Sequence, residues 1–565
     1  MIHRSIQNAL QVAVAAELPD ADTSRVLVRP CDPKFGDYQS NALMALAKQR
    51  RMNPRELAGA VVARLDVSEW CSKVEIAGPG FLNFHLEPEA VSGALNEGAS
   101  SDRLFFEPAN PSRTIIVDFS SPNVAKPMHV GHIRSTILGD SLARILRLLG
   151  HRVVTDNHIG DWGTQFGMLL LGWKTILNKE ALEADPIAEM ERIYKAINSD
   201  ESLRDSARAE LLKLQSGDSE NLSLWQQMID LSQQQFDMVY GRLGVGFDYT
   251  LGESFYNDEL AGVVEDLRKN KIAVESEGAM IVEFPDDSPL KGQPAIVRKS
   301  DGAANYTTTD LATLQHRQRE WLPDEILYVT DGRQQLHFQQ LFAIHRRWRP
   351  EVSASLEHVW FGSILGADRK PFKTRSGEVV KLAALLDEAE ERAFAVVTEK
   401  NPDLDEVARR EIARIVGLGA LKYADLSNNR QSDYIFDWDR MLALQGNTAP
   451  YLQYAYTRIR SIFRKAGMDE VSAGKISLST PEELALAKHL LNFGLALEQV
   501  AVEYRPNYLC TYLYDLAGHY ARFYEACPVL QSGAAQASRL TLCDLAARVL
   551  KEGLGVLGIE VTDKM

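Results

Sequence analysis

The stretch Asp118-Phe-Ser120-Ser-Pro-Asn123-Val-Ala-Lys126-Pro-Met-His129-Val-Gly131-His132 gathers side chains suited to one kind of chemistry. Two histidines three residues apart can both be aimed at one anion. In phosphoryl or adenylyl transfer such donors stabilise the charge that grows on the phosphorus oxygens. Gly131 removes a side chain between them, so a flat ligand such as adenine can approach the backbone. Histidines at this spacing can also share a zinc ion, but no third ligand is evident. A plain polar loop would carry the same letters.

Such residues need a scaffold. Thr114 to Phe119 is β-rich and mostly apolar, as in a buried strand. From Gly131 to Leu149, Ile133, Ile137, Leu138, Leu142, Ile145, Leu146 and Leu149 recur at helical spacing, and Gly150 is a stop signal. Arg152 to Thr155 reads as a second short strand. Strand, glycine-bearing loop, helix, strand is the βαβ unit of a nucleotide-binding sheet. The histidines fall at its strand-to-helix turn, where free amides and the positive end of the helix dipole favour a phosphate.

Around this unit the chain divides into four expected segments. Residues 1–112 carry a turn at Pro30–Tyr38 and a turn-then-strand at Ala77–Phe84, and end in a linker around Pro108 and Pro111. Residues 113–381 hold the sheet, with further strands at Glu325–Thr330 and Glu357–Phe361 and a helical insertion at about 175–300. Residues 382–445 read as a helical connector. Residues 446–565 read as a helical domain whose stripe includes Tyr508, Tyr512, Leu516, Tyr520 and Phe523. Two decoys fail on inspection: Gly167 to Thr175 nearly matches a P-loop but has Trp173 at the lysine place, and Gly78-Pro-Gly80 lacks the third glycine of a dinucleotide fingerprint.

With 565 residues, 45% hydrophobic and 25% charged, the composition is that of a multi-domain globular protein. No apolar run is long enough to cross a bilayer. Five cysteines without a Cys-x-x-Cys pair argue against a zinc site or a disulfide framework, and fit a reducing cytoplasm. A net charge of −15 argues against a general nucleic-acid binder. Residues 446–565, however, balance 12 basic against 12 acidic residues. They include the run Arg458, Arg460, Arg464 and Lys465, which suits either a solvated helix face or a local RNA patch.

His129-Val-Gly-His132 resembles the "HIGH" signature of class I aminoacyl-tRNA synthetases, and Ser120 to Gly139 resembles the arginine-specific family of that class. Further blocks agree in order: Phe35-Gly-Asp-Tyr-Gln39, Gly78-Pro-Gly-Phe81, Asp156 to Gly167, Gly446 to Ala455, and Arg458-Ile-Arg460. The resemblance covers nearly the whole chain. It implies a Rossmann-type α/β class I core with a helical insertion, an N-terminal α+β domain and a C-terminal all-α anticodon-binding domain.

The resemblance also implies an activity, an arginine–tRNA ligase that activates arginine with MgATP and transfers it to tRNA(Arg). His129, Gly131 and His132 would meet ATP, with Lys126 a further cation. The second class I signature, "KMSKS", is altered: the matching place reads Asp368-Arg-Lys370-Pro371-Phe-Lys373-Thr-Arg375, with Pro371 where the first lysine belongs. Lys370, Lys373 and Arg375 would still form a cationic loop over the phosphates. Arginine ligands are implied at Asp118, Ser120, Asn123, His132, Tyr306, Asp310 and Gln334. Carboxylates suit a guanidinium because they can bind it in bidentate geometry, although Asp310 also suits an ordinary helix cap. RNA contacts are implied at Phe81 and Asn83 for the tRNA elbow. Tyr451, Tyr454, Arg458 and Arg460, with Tyr456, combine stacking platforms with cations for the anticodon. No metal site, a monomeric state, a cytoplasmic location and tRNA-dependent activation complete the expectation. The competing readings are a small-molecule nucleotidyltransferase and a non-catalytic tRNA-binding relative.

Overall fold

A computed structural model describes residues 1–101, 103–372, 380–468 and 474–565. The first hundred residues form an antiparallel sheet with helices packed on it. The elements are α1 (Ile2–Glu17), β1 (Arg29–Pro30), β2 (Tyr38–Ser40), α2 (Ala42–Arg50), α3 (Pro54–Val62), β3 (Cys71–Ala77), β4 (Phe81–Leu86) and α4 (Pro88–Ala99), with sheet order β1-β2-β4-β3.

The central domain opens with β5 (Thr114–Phe119), α5 (Val130–Leu148) and β6 (Arg152–Asp156). The insertion then contributes α6 (Gln165–Ile176), α7 (Lys179–Ala184), α8 (Pro186–Ser199), α9 (Arg204–Gln215), α10 (Ser219–Leu243), α11 (Asn257–Lys269) and strands β7 (Val274–Ser276), β8 (Ala279–Val282) and β9 (Ala295–Arg298). The sheet resumes through α12 (Tyr306–Trp321), β10 (Glu325–Val329), α13 (Gln335–Trp348) and β11 (Ser355–His358), all four of its strands running parallel in the order β11-β10-β5-β6. Helices cover its faces because the strands are apolar on both sides: Ile115, Ile116, Val117 and Phe119 are all fully buried. Gly139 lets α5 press against β5, since a Cβ there would lie 2.1 Å from the Phe119 ring.

The insertion is mainly helical, as expected, and adds an antiparallel β7-β8-β9 sheet. Glu277 and Gly278, both with positive φ (49° and 79°), form the two-residue turn that closes a hairpin. A correction falls in the connector read as helical. Between α14 (Leu382–Lys400), α15 (Glu406–Leu426) and α16 (Trp438–Met441) lies β13 (Tyr434–Ile435), parallel to β12 (Ile364–Leu365). Two-residue strands leave no period in a sequence; long-range pairing makes them.

The last domain packs α17 (Ala449–Lys465), α18 (Pro481–Leu490), α19 (Phe493–Glu503), α20 (Asn507–Ala526) and α21 (Gln536–Val556) around one core. The N-terminal domain docks directly on it. Asp37 pairs with Lys488 at 2.7 Å, the Tyr38 hydroxyl donates to Asn492 at 2.7 Å, and Arg4 pairs with Glu498 at 2.6 Å. The block Phe35 to Gln39 thus builds an interface between domains. No helix among the described residues is long and apolar enough to cross a membrane.

Candidate active site

His129 is the N-cap of α5 and shares the cap with His132. His129 Nδ1 accepts the Gly131 amide at 3.0 Å, and His132 Nδ1 accepts the His129 amide at 3.1 Å. With both Nδ1 atoms accepting, each neutral ring carries its proton on Nε2. Burial lowers both pKa values, that of His132 to about 3; the Arg333 cation lowers His129 further. At neutral pH the pair therefore offers two uncharged Nε2–H donors. The space above Gly131 is filled by the His129 ring, whose Cε1 would lie 2.8 Å from an added Cβ. The glycine admits the imidazole, which corrects the expectation that it admits adenine.

Between β5 and α5 the loop adopts a costly backbone. Ser120, Ser121 and Ala125 have φ of 74°, 48° and 59°. Such conformations persist for side-chain-bearing residues only when surroundings fix them. Asn123 is exposed and bridges to Gly160, where a Cβ would lie 2.3 Å from the Asn123 amide oxygen. Lys126 is exposed and lies 5.5 Å from the Tyr194 ring centroid, turned toward the insertion.

The carboxylates do not act alike. Asp118 and Asp156 end neighbouring strands side by side, and the fully buried Arg317 joins them, at 2.6 Å and 2.8 Å. Asp118 therefore has its guanidinium already, from its own chain. This corrects its expected role as a direct receptor for a substrate guanidinium: it already holds that of Arg317, shared with Asp156, and the residue is only 5% exposed. Ser120 is corrected in the same way. Its hydroxyl contacts Thr136 and Tyr240, both at 2.8 Å, which leaves no proton for a ligand.

Asp310 is differently placed. It lies one turn after Tyr306 on α12, and both meet His337: the imidazole is 2.6 Å from Asp310 Oδ2 and its ring centroid is 4.9 Å from that of Tyr306. His158 Nε2 stands 3.9 Å from the other Asp310 oxygen. Glu253, which the sequence reading missed, faces the same group. Burial raises its pKa to about 7, with Asp310 and Asp161 adding to the rise and His158 opposing it. Asp161 accepts the Ser254 amide at 2.8 Å and its hydroxyl at 2.6 Å; a Cβ on Gly252 would fall 2.0 Å from Asp161 Oδ2. The block Asp156 to Gly167 thus holds the turn that presents Glu253. The only hint in the sequence was a glycine before an acid, too common to single out.

One segment ties the two halves together. Arg333 acts electrostatically on His129, and His337, four residues later, holds Asp310. Gln334, exposed, lies between them, and Gln335 starts α13. Further along the chain, Gly366 donates to Lys370 O at 2.8 Å and Phe372 to Ile364 O at 3.1 Å, which places the exposed Lys370 on a hairpin. Lys373 and Arg375 lie outside the described residues. Beyond them the chain returns to the histidines: Val130 donates to Val380 O at 2.9 Å, and His129 forms a β-bridge with Lys381.

The RNA candidates separate by face. Tyr451, Tyr454 and Arg458 share one side of α17. Tyr451 lies 5.7 Å from the Tyr514 ring and Arg458 is 5.0 Å from the Tyr524 ring, so α20 extends the surface. Tyr456 is corrected to core: it is 5% exposed and donates to Asp563 at 3.0 Å. Arg460 is also turned away and pairs with Asp563 at 3.6 Å. In the N-terminal domain Phe81 is half-buried. Asn83 is corrected, being 2% exposed with its oxygen accepting from Gln39 at 2.7 Å.

A parallel sheet with a capped His-x-Gly-His turn, a hairpin that carries Lys370 and a C-terminal helical domain together define a class I aminoacyl-tRNA synthetase. Residues 96–438 match the family described as tRNA synthetases class I (R), catalytic domain; residues 452–565 match the DALR anticodon binding domain; residues 1–86 match the arginyl tRNA synthetase N terminal domain. The chain is 48% identical to the arginine–tRNA ligase of Laribacter hongkongensis, over 100% of this chain and 99% of that protein. It is 48% identical to that of Chromobacterium violaceum, over all of both. The solved arginyl-tRNA synthetase of Thermus thermophilus superposes with a TM-score of 0.86 at 27% identity, covering 100% of each chain. That of Plasmodium falciparum gives 0.84 at 28%, covering 100% and 99%. The chain belongs to the arginyl-tRNA synthetase family.

Proposed function

We propose that this chain is an arginine–tRNA ligase that works in two steps as a cytoplasmic monomer with MgATP as substrate. The arginine carboxylate attacks the α-phosphorus of ATP and pyrophosphate leaves. The terminal ribose hydroxyl of tRNA(Arg) then attacks the arginyl-adenylate and AMP leaves. No side chain serves as a covalent nucleophile. His129 and His132 donate Nε2–H groups to the phosphate, and the Lys370 hairpin, with Lys373 and Arg375, brings positive charge over it. Neutral donors fixed before the reaction stabilise the developing charge without reorganising.

The observation that carries the arginine reading is the Asp310 site. One carboxylate held by His337, with Tyr306 on the same helical face and Glu253 nearby, forms an acidic site in which no guanidinium among the described residues pairs with Asp310. Asn123, bridged to Gly160, and the exposed Gln334, three residues before His337, would take the substrate's amino and carboxylate groups. Tyr451, Tyr454 and Arg458 would meet the anticodon, and Phe81 the elbow. Activation waits on tRNA because the RNA 3′ end completes the site. Arginine-dependent ATP–pyrophosphate exchange with and without tRNA(Arg) tests this; equal rates would remove the tRNA requirement. Aminoacylation with each amino acid in turn tests the specificity.

A further inference from the structure

The insertion's longest helix touches the strained loop at two points. Tyr240 and Ser232, both on α10, are buried. Ser232 Oγ accepts the Ala125 amide at 3.0 Å while donating to Met228 O at 2.8 Å. Tyr240 Oη lies 2.8 Å from Ser120 Oγ and 3.2 Å from Asn157 Nδ2. The direction of this second chain follows from proton counting. Thr136 Oγ1 gives its only proton to His132 O at 2.8 Å, so at the 2.8 Å contact with Ser120 it must accept. Ser120 therefore donates to Thr136, and Tyr240 must donate to Ser120, while Asn157 donates to Tyr240. A single relay runs from the insertion through Ser120 to the carbonyl of His132.

The two contacts fall on two of the three residues with left-handed backbone, Ser120 and Ala125. The far end of α10 is well anchored. Arg144 of α5 donates to Gly244 O, the buried Lys422 of α15 donates to Leu243 O, and Arg242 pairs with Asp387 and Glu390 of α14 at 2.7 Å and 2.9 Å. A helix fixed in this way can hold a strained loop in one conformation.

We propose that Tyr240 and Ser232 are positioning residues: the insertion uses their hydroxyls to hold the Asp118–Lys126 loop in its reactive shape. Neither touches a substrate. Tyr240 acts through Ser120 on the stretch that carries Asn123, and so on arginine. Ser232 acts through Ala125 on the turn that leads to His129, the ATP side. The split between substrates rests on the site reading given above; the positioning role itself does not.

The test compares the full-length enzyme with Tyr240→Phe and Ser232→Ala in pyrophosphate exchange with tRNA(Arg) present, beside active-site titration and thermal unfolding. Loss of one buried hydrogen bond predicts a rise in KM of about 3- to 10-fold, in arginine for Tyr240→Phe and in ATP for Ser232→Ala. Melting should stay within about 2 °C of the parent in a chain of this size. KM values for both substrates within about twofold of the parent in both variants would overturn the proposal. So would a loss confined to active-site titre or melting temperature, the mark of a merely structural role. A rise in KM for the opposite substrate would uphold positioning and overturn the assignment of the loop's two halves.

Discussion

Arg317 Nη2 lies 2.6 Å from Asp118 Oδ2, and this one contact decides which acid can receive arginine. Asp118 already holds a guanidinium from its own chain, whereas the ion-pair partners of Asp310 among the described residues are the imidazoles of His337 and His158. Asp310→Asn should lower kcat/KM for arginine by about 100-fold or more, as removal of a charge-assisted pair in a semi-enclosed site does. It should leave the melting temperature nearly unchanged. Asp118→Asn should do the reverse: a fall in stability of about 2–4 kcal/mol from a broken buried ion pair, with a smaller effect on arginine recognition. Exchange kinetics and thermal melts on both variants check the assignment. Equal losses of arginine affinity would return Asp118 to the pocket.

The Glu253 carboxyl predicts a pH dependence with a definite sign. Burial, with Asp310 and Asp161 nearby, raises its pKa to about 7, so near neutrality part of the free enzyme holds it protonated. An arriving guanidinium favours the ionised form, so arginine binding expels a proton. The apparent arginine KM should therefore rise as pH falls below about 7, approaching tenfold per unit, and level off above about 8. Glu253→Gln should bind arginine more weakly and lose this dependence. A KM that stays flat from pH 6 to 8 in the parent enzyme would exclude the coupling.

The two histidines predict an absence of titration. Burial pushes His132 down to about 3 and lowers His129 as well, so both stay neutral through the physiological range. At saturating arginine and ATP, kcat for exchange should show no limb with a midpoint near 6.5. His132→Asn should still cost about 100- to 1000-fold in kcat, the scale for losing one fixed donor to a transition-state oxyanion. A limb near 6.5 that disappears in this variant would mean that the imidazolium is the active form.

Much of this architecture was legible in the residues, for a physical reason. Thr114–Phe119 and the helix from 130 are long, apolar and periodic, and the histidine turn sits between them, so local pattern alone locates the nucleotide side of the site. The guanidinium side was only half legible. Arg317 and Asp118 are 199 residues apart in the chain, and nothing in either neighbourhood announces that they meet. Glu253 lies in a short turn without periodicity, held by Asp161 from another segment. Resemblance pointed to Asp310 and Asp118 alike, and gave no sign of the Arg317 that already pairs with Asp118. Tyr456 and Arg460 fall away from the Tyr451–Arg458 face for a related reason: alternation in sequence was read as one surface, while a helix places residues two apart on different faces.

That division of faces supplies the last prediction. Arg458 is exposed beside Tyr454 and Tyr524, no carboxylate among the described residues pairs with its guanidinium, and a phosphate there would gain a contact with little competition. Arg460 is a quarter exposed and already paired with Asp563. Arg458→Ala should therefore raise the KM for tRNA(Arg) by several-fold and reduce the salt slope of tRNA binding by about one, as expected for loss of one phosphate contact. Arginine and ATP parameters should not move. Arg460→Ala should leave that slope unchanged and act, if at all, by loosening the C-terminal tail, to the extent of about 0–1 kcal/mol for a partly exposed pair. Filter binding of tRNA(Arg) across a salt series measures both slopes. An equal reduction in the two variants would mean that RNA approaches from the Asp563 side and breaks that pair, and the proposed face on α17 and α20 would have to be abandoned.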